Sequence, residues 1–143
     1  MLRGGSALVS VVVFSVCLLA VPLQKPCSQD IILRVKLLRD KAAAERLMDC
    51  RLYTPTIQDY ENCPVSTLKC YAAEIQVLTE ELELSGLKRF LTRKVNVQLK
   101  KLASLINQKE SECRQCELFT ENNVTTFLAD LLSTLNMVNS QYC

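Results

Sequence analysis

Residues 63–82 read CPVSTLKCYAAEIQVLTEEL. Leu68, Tyr71, Ile75, Leu78 and Leu82 recur at steps of three and four, which places them on one face of a helix. Ser85-Gly86 follows as the stop signal. A helix with one apolar face cannot bury that face by itself. Of its two cysteines, Cys63 lies at the entrance of this helix and Cys70 inside it.

Three more stripes of the same kind flank it. Upstream, Ser28 can cap a helix that carries Asp30 in its first turn, where an acid suits the helix dipole. Ile31, Val35, Leu38 and Ala42 form its apolar stripe, and Leu47 and Met48 continue the segment. Downstream, Leu87, Leu91, Val95, Leu99, Leu102 and Ile106 make a third stripe. Val124, Phe127, Leu131, Leu135, Val138 and Tyr142 make a fourth. With only three glycines and four prolines, the chain is sparse in the turn residues a many-stranded β protein needs. The reading is all-α, with four helices packed on one core. The connection from Cys50 to Pro64, through Tyr53-Thr54-Pro55, is long. The link after the second helix is tight, and the link from Gln108 to Asn122 is long again. Long, short, long fits an up-up-down-down short-chain bundle, with an up-down bundle as the alternative.

The compartment follows from the N-terminal segment. Met1 to Gly5 carries one charge, Arg3, and Ala7 to Ala20 is an uncharged, mostly apolar run. It is short for a membrane span and has the form of a secretory leader. Residues 1–20 are therefore expected to be a signal peptide, cleaved between about residues 17 and 26, and residues 21–143 the mature domain. The expected location is extracellular. Roughly 120 residues make one domain with one core. Of eight cysteines, Cys17 leaves with the leader. An odd number then remains, so one stays free or joins another chain.

An oxidising compartment gives disulfides. The second cysteine cluster, Glu112-Cys113-Arg114-Gln115-Cys116-Glu117, holds a C-x-x-C. With Cys63 and Cys70 it offers four thiols, but the C-x6-C spacing is not a usual zinc knuckle and the chain has no histidine. Seven helical residues rise about 10 Å, and three extended residues reach about the same. An extended C-x-x-C can thus lie beside the start of the second helix and deliver two bridges to it. Spacing permits Cys63–Cys113 with Cys70–Cys116, or the crossed pairs.

The function classes narrow accordingly. Without histidine there is no Ser-His or Cys-His nucleophile and no usual metal triad. No G-x-S-x-G and no glycine-rich phosphate loop is present. The reading is therefore not an enzyme, with no cofactor and no metal. Net charge is +2, which does not suggest nucleic acid as a partner. Asn123-Val124-Thr125 is a glycosylation sequon. A secreted helical lipid carrier is the rival class; it requires an apolar cavity between amphipathic helices.

The stretch Cys63-Pro-Val-Ser-Thr-Leu-Lys-Cys70-Tyr-Ala-Ala-Glu-Ile-Gln-Val77, together with Glu112-Cys113-Arg-Gln-Cys116-Glu117 and Asn123-Val-Thr-Thr-Phe127-Leu128, resembles the interleukin-15 family. Leu52-Tyr53-Thr54 fits as well, and the likeness covers roughly residues 50 to 143; the first helix matches in pattern alone. The resemblance implies a disulfide-stapled short-chain four-helix cytokine and selects Cys63–Cys113 and Cys70–Cys116. It also implies receptor ectodomains as partners: a private alpha chain, a beta chain and the common gamma chain. The positions matching the alpha-chain surface are Tyr53, Glu74, Val77, Glu81 and Glu117. Glu74 and Glu81, two turns apart on one side of their helix, are expected to be exposed. One acid of the family patch falls on Leu118. The aspartate that the family offers to the beta chain falls on Arg34, and the amide offered to the gamma chain falls on Asn136.

The topology places the remaining cysteines. In an up-up-down-down bundle the first helix starts at the end where the fourth finishes, so Cys27 and Cys143 are expected to pair. Cys50, after the first helix, is expected at the opposite end and left over.

Overall fold

The computed structural model describes residues 25–44, 49–84, 90–110 and 112–143. The expected leader, Leu47, Met48, Ser85-Gly86 and Leu87 lie outside them. In chain order the elements are α1 (Gln29–Ala44), β1 (Arg51–Tyr53), α2 (Ile57–Asn62), α3 (Pro64–Leu84) and α4 (Phe90–Leu105). A 3-10 turn (Cys116–Leu118), β2 (Glu121–Asn123) and α5 (Val124–Tyr142) follow. The long helices α1, α3, α4 and α5 are the four expected from the stripes. Among the described residues, none is long and apolar enough to cross a membrane.

The helix starts show how local sequence sets the boundaries. α2 opens on a reciprocal cap: the Thr56 side chain accepts from the Asp59 N–H at 3.2 Å, and the Thr56 N–H donates to the Asp59 carboxylate at 2.7 Å. α3 begins with Pro64, whose ring presets φ and whose missing N–H would have lacked a helical partner anyway. The next two N–H groups, on Val65 and Ser66, donate to the Glu110 carboxylate at 2.6 and 3.1 Å. An acid brought in from the end of α4 thus caps α3 and suits its dipole. At α5, Asn123 Oδ1 accepts from the Thr126 N–H at 2.8 Å. α1 departs from the expected cap. The Ser28 hydroxyl donates to the Leu135 carbonyl at 2.7 Å, because Ser28 is buried against α5 and its hydroxyl finds a partner there.

Cross-links between helices fix their directions. Ser28 N–H donates to Asn139 Oδ1 at 3.2 Å, so the start of α1 meets the end of α5. Cys27 and Cys143 are bridged at that end, with Cα atoms 5.8 Å apart. Gln98 in α4 donates to Asp30 near the start of α1 at 2.7 Å. Asn96 in α4 donates to the Ala72 carbonyl of α3 at 2.6 Å, and Glu110, past the end of α4, caps the start of α3. Hence α1 and α3 run one way and α4 and α5 the other, an up-up-down-down bundle. The ribbon β1–β2 is antiparallel, with Arg51 opposite Asn123, Leu52 opposite Asn122 and Tyr53 opposite Glu121.

One apolar cluster joins all four long helices and β1. Val35, Leu52, Leu68, Tyr71, Ile75, Leu78, Leu99, Phe127, Leu131 and Leu135 are at its centre. The Tyr71 and Phe127 rings meet at 5.3 Å between centroids, tilted by 53°, within the separation at which aromatic pairs attract. The buried Tyr71 hydroxyl is satisfied by the Pro55 carbonyl at 2.6 Å. Two stripe residues differ from expectation: Leu91 and Tyr142 pack against the cluster while keeping part of their surface in water.

Candidate functional site

The structure joins Cys63 to Cys113 and Cys70 to Cys116, with Cα separations of 6.0 and 5.3 Å. These bridges tie the segment before β2 to the start of α3. Closing a separation of 50 residues stabilises by roughly 4 kcal/mol in the chain-entropy treatment. They also position chemistry. Cys70, Glu74, Val77 and Glu81 follow one another at steps of four, three and four, so they share one side of α3. Bonding Cys116 to Cys70 holds Glu117 and Leu118 beside that same side.

β1 lies along it too. The Tyr53 N–H donates to the Glu74 carboxylate at 2.9 Å. Glu74 is only 7% exposed, which corrects the expectation of a solvated acid. Its carboxylate faces β1 rather than water, because α3 turns this edge toward the ribbon. Burial raises the Glu74 pKa above 4.5; the hydrogen bond from Tyr53 lowers it, and Glu121 raises it. Its role in the described structure is to fasten the ribbon to α3.

The Tyr53 phenol sits among carboxylates. Its pKa is raised first by the charge of Glu121, then by desolvation, by hydrogen bonding to Glu121, and by the charges of Glu74 and Glu117. Glu121 is thus a member of the cluster that the sequence reading missed. Its signal was weak: nothing in the sequence pairs residues 121 and 53 until the ribbon register is known. Glu81 and Glu117 are exposed. Val77 is 37% exposed and Leu118 is 65% exposed. The surface therefore holds the acids Glu81, Glu117 and Glu121, the half-buried Tyr53, and two apolar contacts, Val77 and Leu118. Apolar anchors with a charged rim are the anatomy of a protein-binding patch.

The other candidates lie apart from it. Asn136 is exposed on α5. Arg34, on α1, is ion-paired with Asp30 one turn earlier, and Asp30 also accepts from Gln98. Asp30 is held below its usual pKa, first by Gln98 and further by Arg34 and Lys94, against an opposing desolvation contribution. Arg34, Phe90, Arg93, Lys94, Val97 and Gln98 line a shallow groove between α1 and α4, with the Lys94 ammonium 4.8 Å from the Phe90 ring centre. Asn123 caps α5 at the end of β2. Cys50 is unbridged and half-buried. It adjoins β1, whose partner strand leads into α5, whereas Cys143 ends α5. The 19 residues of that helix separate the two ends by roughly 28 Å, beyond bridging distance. Burial pushes the Cys50 thiol up to about 11, with Glu81 and Glu74 adding to the rise.

Comparison with known proteins bears on the same features. The family model described as Interleukin 15 matches residues 11–139. The chain belongs to the interleukin-15 family. Interleukin-15 of Oryctolagus cuniculus is 29% identical over 112 residues, covering 78% of this chain and 68% of the relative. For Felis catus the figures are 28% over 109 residues, with 76% and 66% covered. For Homo sapiens they are 28% over 90 residues, with 63% and 55% covered. The matched part thus spans between about half and two-thirds of these interleukin-15 chains. As a member of that family the protein is a helical cytokine, and its bridged bundle is the frame that carries the acidic face.

Proposed function

We propose that this interleukin-15-family cytokine is secreted and acts by assembling receptor ectodomains at the surface of immune cells, with the acidic face docking the alpha chain. The observation that carries the reading is the convergence of Tyr53, Val77, Glu81, Glu117 and Glu121 from three separate segments, held together by Cys70–Cys116 and the Glu74–Tyr53 hydrogen bond. Separate segments stapled into one exposed acidic surface with apolar anchors suit a rigid, cation-bearing protein partner. Such charge complementarity speeds encounter and fixes register. Leu118, on which the family resemblance would place an acid, offers apolar contact at one corner instead of charge.

Asn136, exposed on α5, is the residue proposed for the common gamma chain. The beta-chain position carries Arg34, already neutralised by Asp30, so this position supports no contact of the family's carboxylate kind. Among the described residues the apolar stripes of the four long helices pack on one another in one cluster, which favours the cytokine reading over the lipid-carrier alternative. Purified protein is to be tested against the three receptor ectodomains by surface binding. The expected result is tight, salt-sensitive alpha-chain binding, reduced by at least about tenfold in Glu81→Lys/Glu117→Lys, and gamma-chain engagement reduced by Asn136→Ala. Unchanged alpha-chain affinity in the double variant would place the contact elsewhere.

A further inference from the structure

We propose that an N-linked glycan on Asn123 covers the edge of the acidic face and thereby governs how much of the secreted protein can dock there; the docking part rests on the receptor reading above. Three observations meet at this residue. First, Asn123-Val124-Thr125 is the one Asn-x-Ser/Thr sequon in the chain, and Thr125 is exposed. Second, Asn123 uses Oδ1 to cap α5. A glycan is joined through Nδ2, the other atom of the amide, so the cap survives modification. Third, the register of the ribbon decides where the sugar goes. Residues directly opposite one another in an antiparallel pair lie on the same face, and successive residues alternate. Leu52 is fully buried, so the Leu52–Asn122 pair faces the core. The Arg51–Asn123 and Tyr53–Glu121 pairs therefore both face outward.

Asn123 and Glu121 are two residues apart in one strand, roughly 7 Å, and Tyr53 is the diagonal neighbour at roughly 7–8 Å. The first sugars of an N-glycan are longer than that gap. A glycan on Nδ2 lies over Arg51 and reaches across Tyr53 and Glu121, on the rim of the face. Attachment is an ordinary group transfer from a lipid-diphosphate-linked oligosaccharide. The bond between the sugar C1 and Asn123 Nδ2 forms, the C1–O bond to the diphosphate breaks, the lipid diphosphate leaves and the amide gives up one proton.

The experiment compares wild type with Thr125→Ala, both secreted from glycosylating cells. Thr125→Ala removes the sequon and leaves the Asn123 cap in place; matching circular dichroism and melting curves verify the fold. Peptide masses before and after amidase treatment report Asn123 occupancy. Nitration of Tyr53 by tetranitromethane, followed by peptide mass, reports cover of the face without any receptor. Surface binding reports alpha-chain affinity. The expected results are a glycan mass on Asn123 in wild type alone, faster Tyr53 nitration in Thr125→Ala, and alpha-chain binding tighter by about tenfold without the glycan. Amidase-treated wild type, with aspartate at 123 still able to cap, is expected to follow Thr125→Ala. An unmodified Asn123 overturns the proposal, as do equal nitration rates with equal affinities. A glycan that shields Tyr53 while neither form binds the alpha chain upholds the cover of this face and overturns the receptor reading instead.

Discussion

Glu74 invites a charge-by-charge test, since its carboxylate does structural work that its position in an acidic patch disguises. It is buried, and it accepts the Tyr53 N–H at 2.9 Å, tying β1 to α3. Glu74→Ala removes the acceptor and leaves that N–H in a partly buried place. Hydrogen bonds to charged groups are worth about 1.5–3 kcal/mol net. Because Tyr53 keeps some contact with water, the lower half of that range applies, about 1.5–2 kcal/mol. For a domain of this size that is a fall in Tm of roughly 4–10 °C. Glu74→Gln should behave differently. The amide oxygen can still accept from Tyr53, and the cost of burying a charge is gone. At pH 7 it should therefore be as stable as wild type or slightly more so. The pH dependence has a definite sign. The Glu74 pKa is raised in the folded protein above 4.5, so just above pH 4.5 the folded protein holds a proton that the unfolded chain has released. This favourable contribution is complete below 4.5 and is lost as pH rises through the folded pKa. Any advantage of Glu74→Gln should accordingly shrink as pH falls toward 4.5. Thermal melts of disulfide-intact wild type, Glu74→Ala, Glu74→Gln and Glu81→Lys, followed by far-UV circular dichroism between pH 4 and 7.5, read all of this. Exposed Glu81→Lys should stay within about 1 kcal/mol of wild type. A Glu74→Ala protein that melts with wild type, or a Glu81→Lys protein that loses more than it does, would refute the assignment of Glu74 to the scaffold.

Two other perturbations follow from the same frame. Glu110→Ala strips the cap from the first N–H groups of α3 and should cost about 1–2 kcal/mol in urea denaturation, with Glu110→Gln losing less. The Cys50 thiol, raised to about 11 by burial and by Glu81 and Glu74, should alkylate with iodoacetamide far more slowly at pH 8 than a free cysteine peptide, and Glu81→Lys should speed it by removing one of the opposing charges.

The four long helices were legible because each carries an apolar stripe that runs for several turns: Leu68, Tyr71, Ile75, Leu78 and Leu82 are all buried. Periodicity over that length leaves little freedom. The short elements were not legible in the same way. β1 and β2 have three residues each, too few for an alternation to stand out, and they exist because Leu52 is drawn into the core and Tyr53 is held by Glu74. α2 did carry a readable signal, the Thr56-Ile-Gln-Asp59 capping box, within a segment otherwise read as connection. Glu74 shows the limit of reading a helix face from one helix alone. Its spacing to Glu81 places both on one side of α3, but only the ribbon packed there decides that one is covered and the other is not. Ser28 failed as a cap for a related reason: a buried hydroxyl takes whichever partner the packing presents, and here that is a carbonyl of α5.

If the acidic face is the docking surface, its charge governs the association rate of the alpha-chain ectodomain. Stopped-flow or surface kinetics over a series of salt concentrations should show wild type associating fastest at low salt, with a steep fall as salt screens the encounter. Glu81→Lys/Glu117→Lys should associate more slowly and with a flattened or inverted salt dependence, while its melting curve stays near that of wild type. Identical association rates and identical salt slopes for the two proteins would place the docking surface elsewhere.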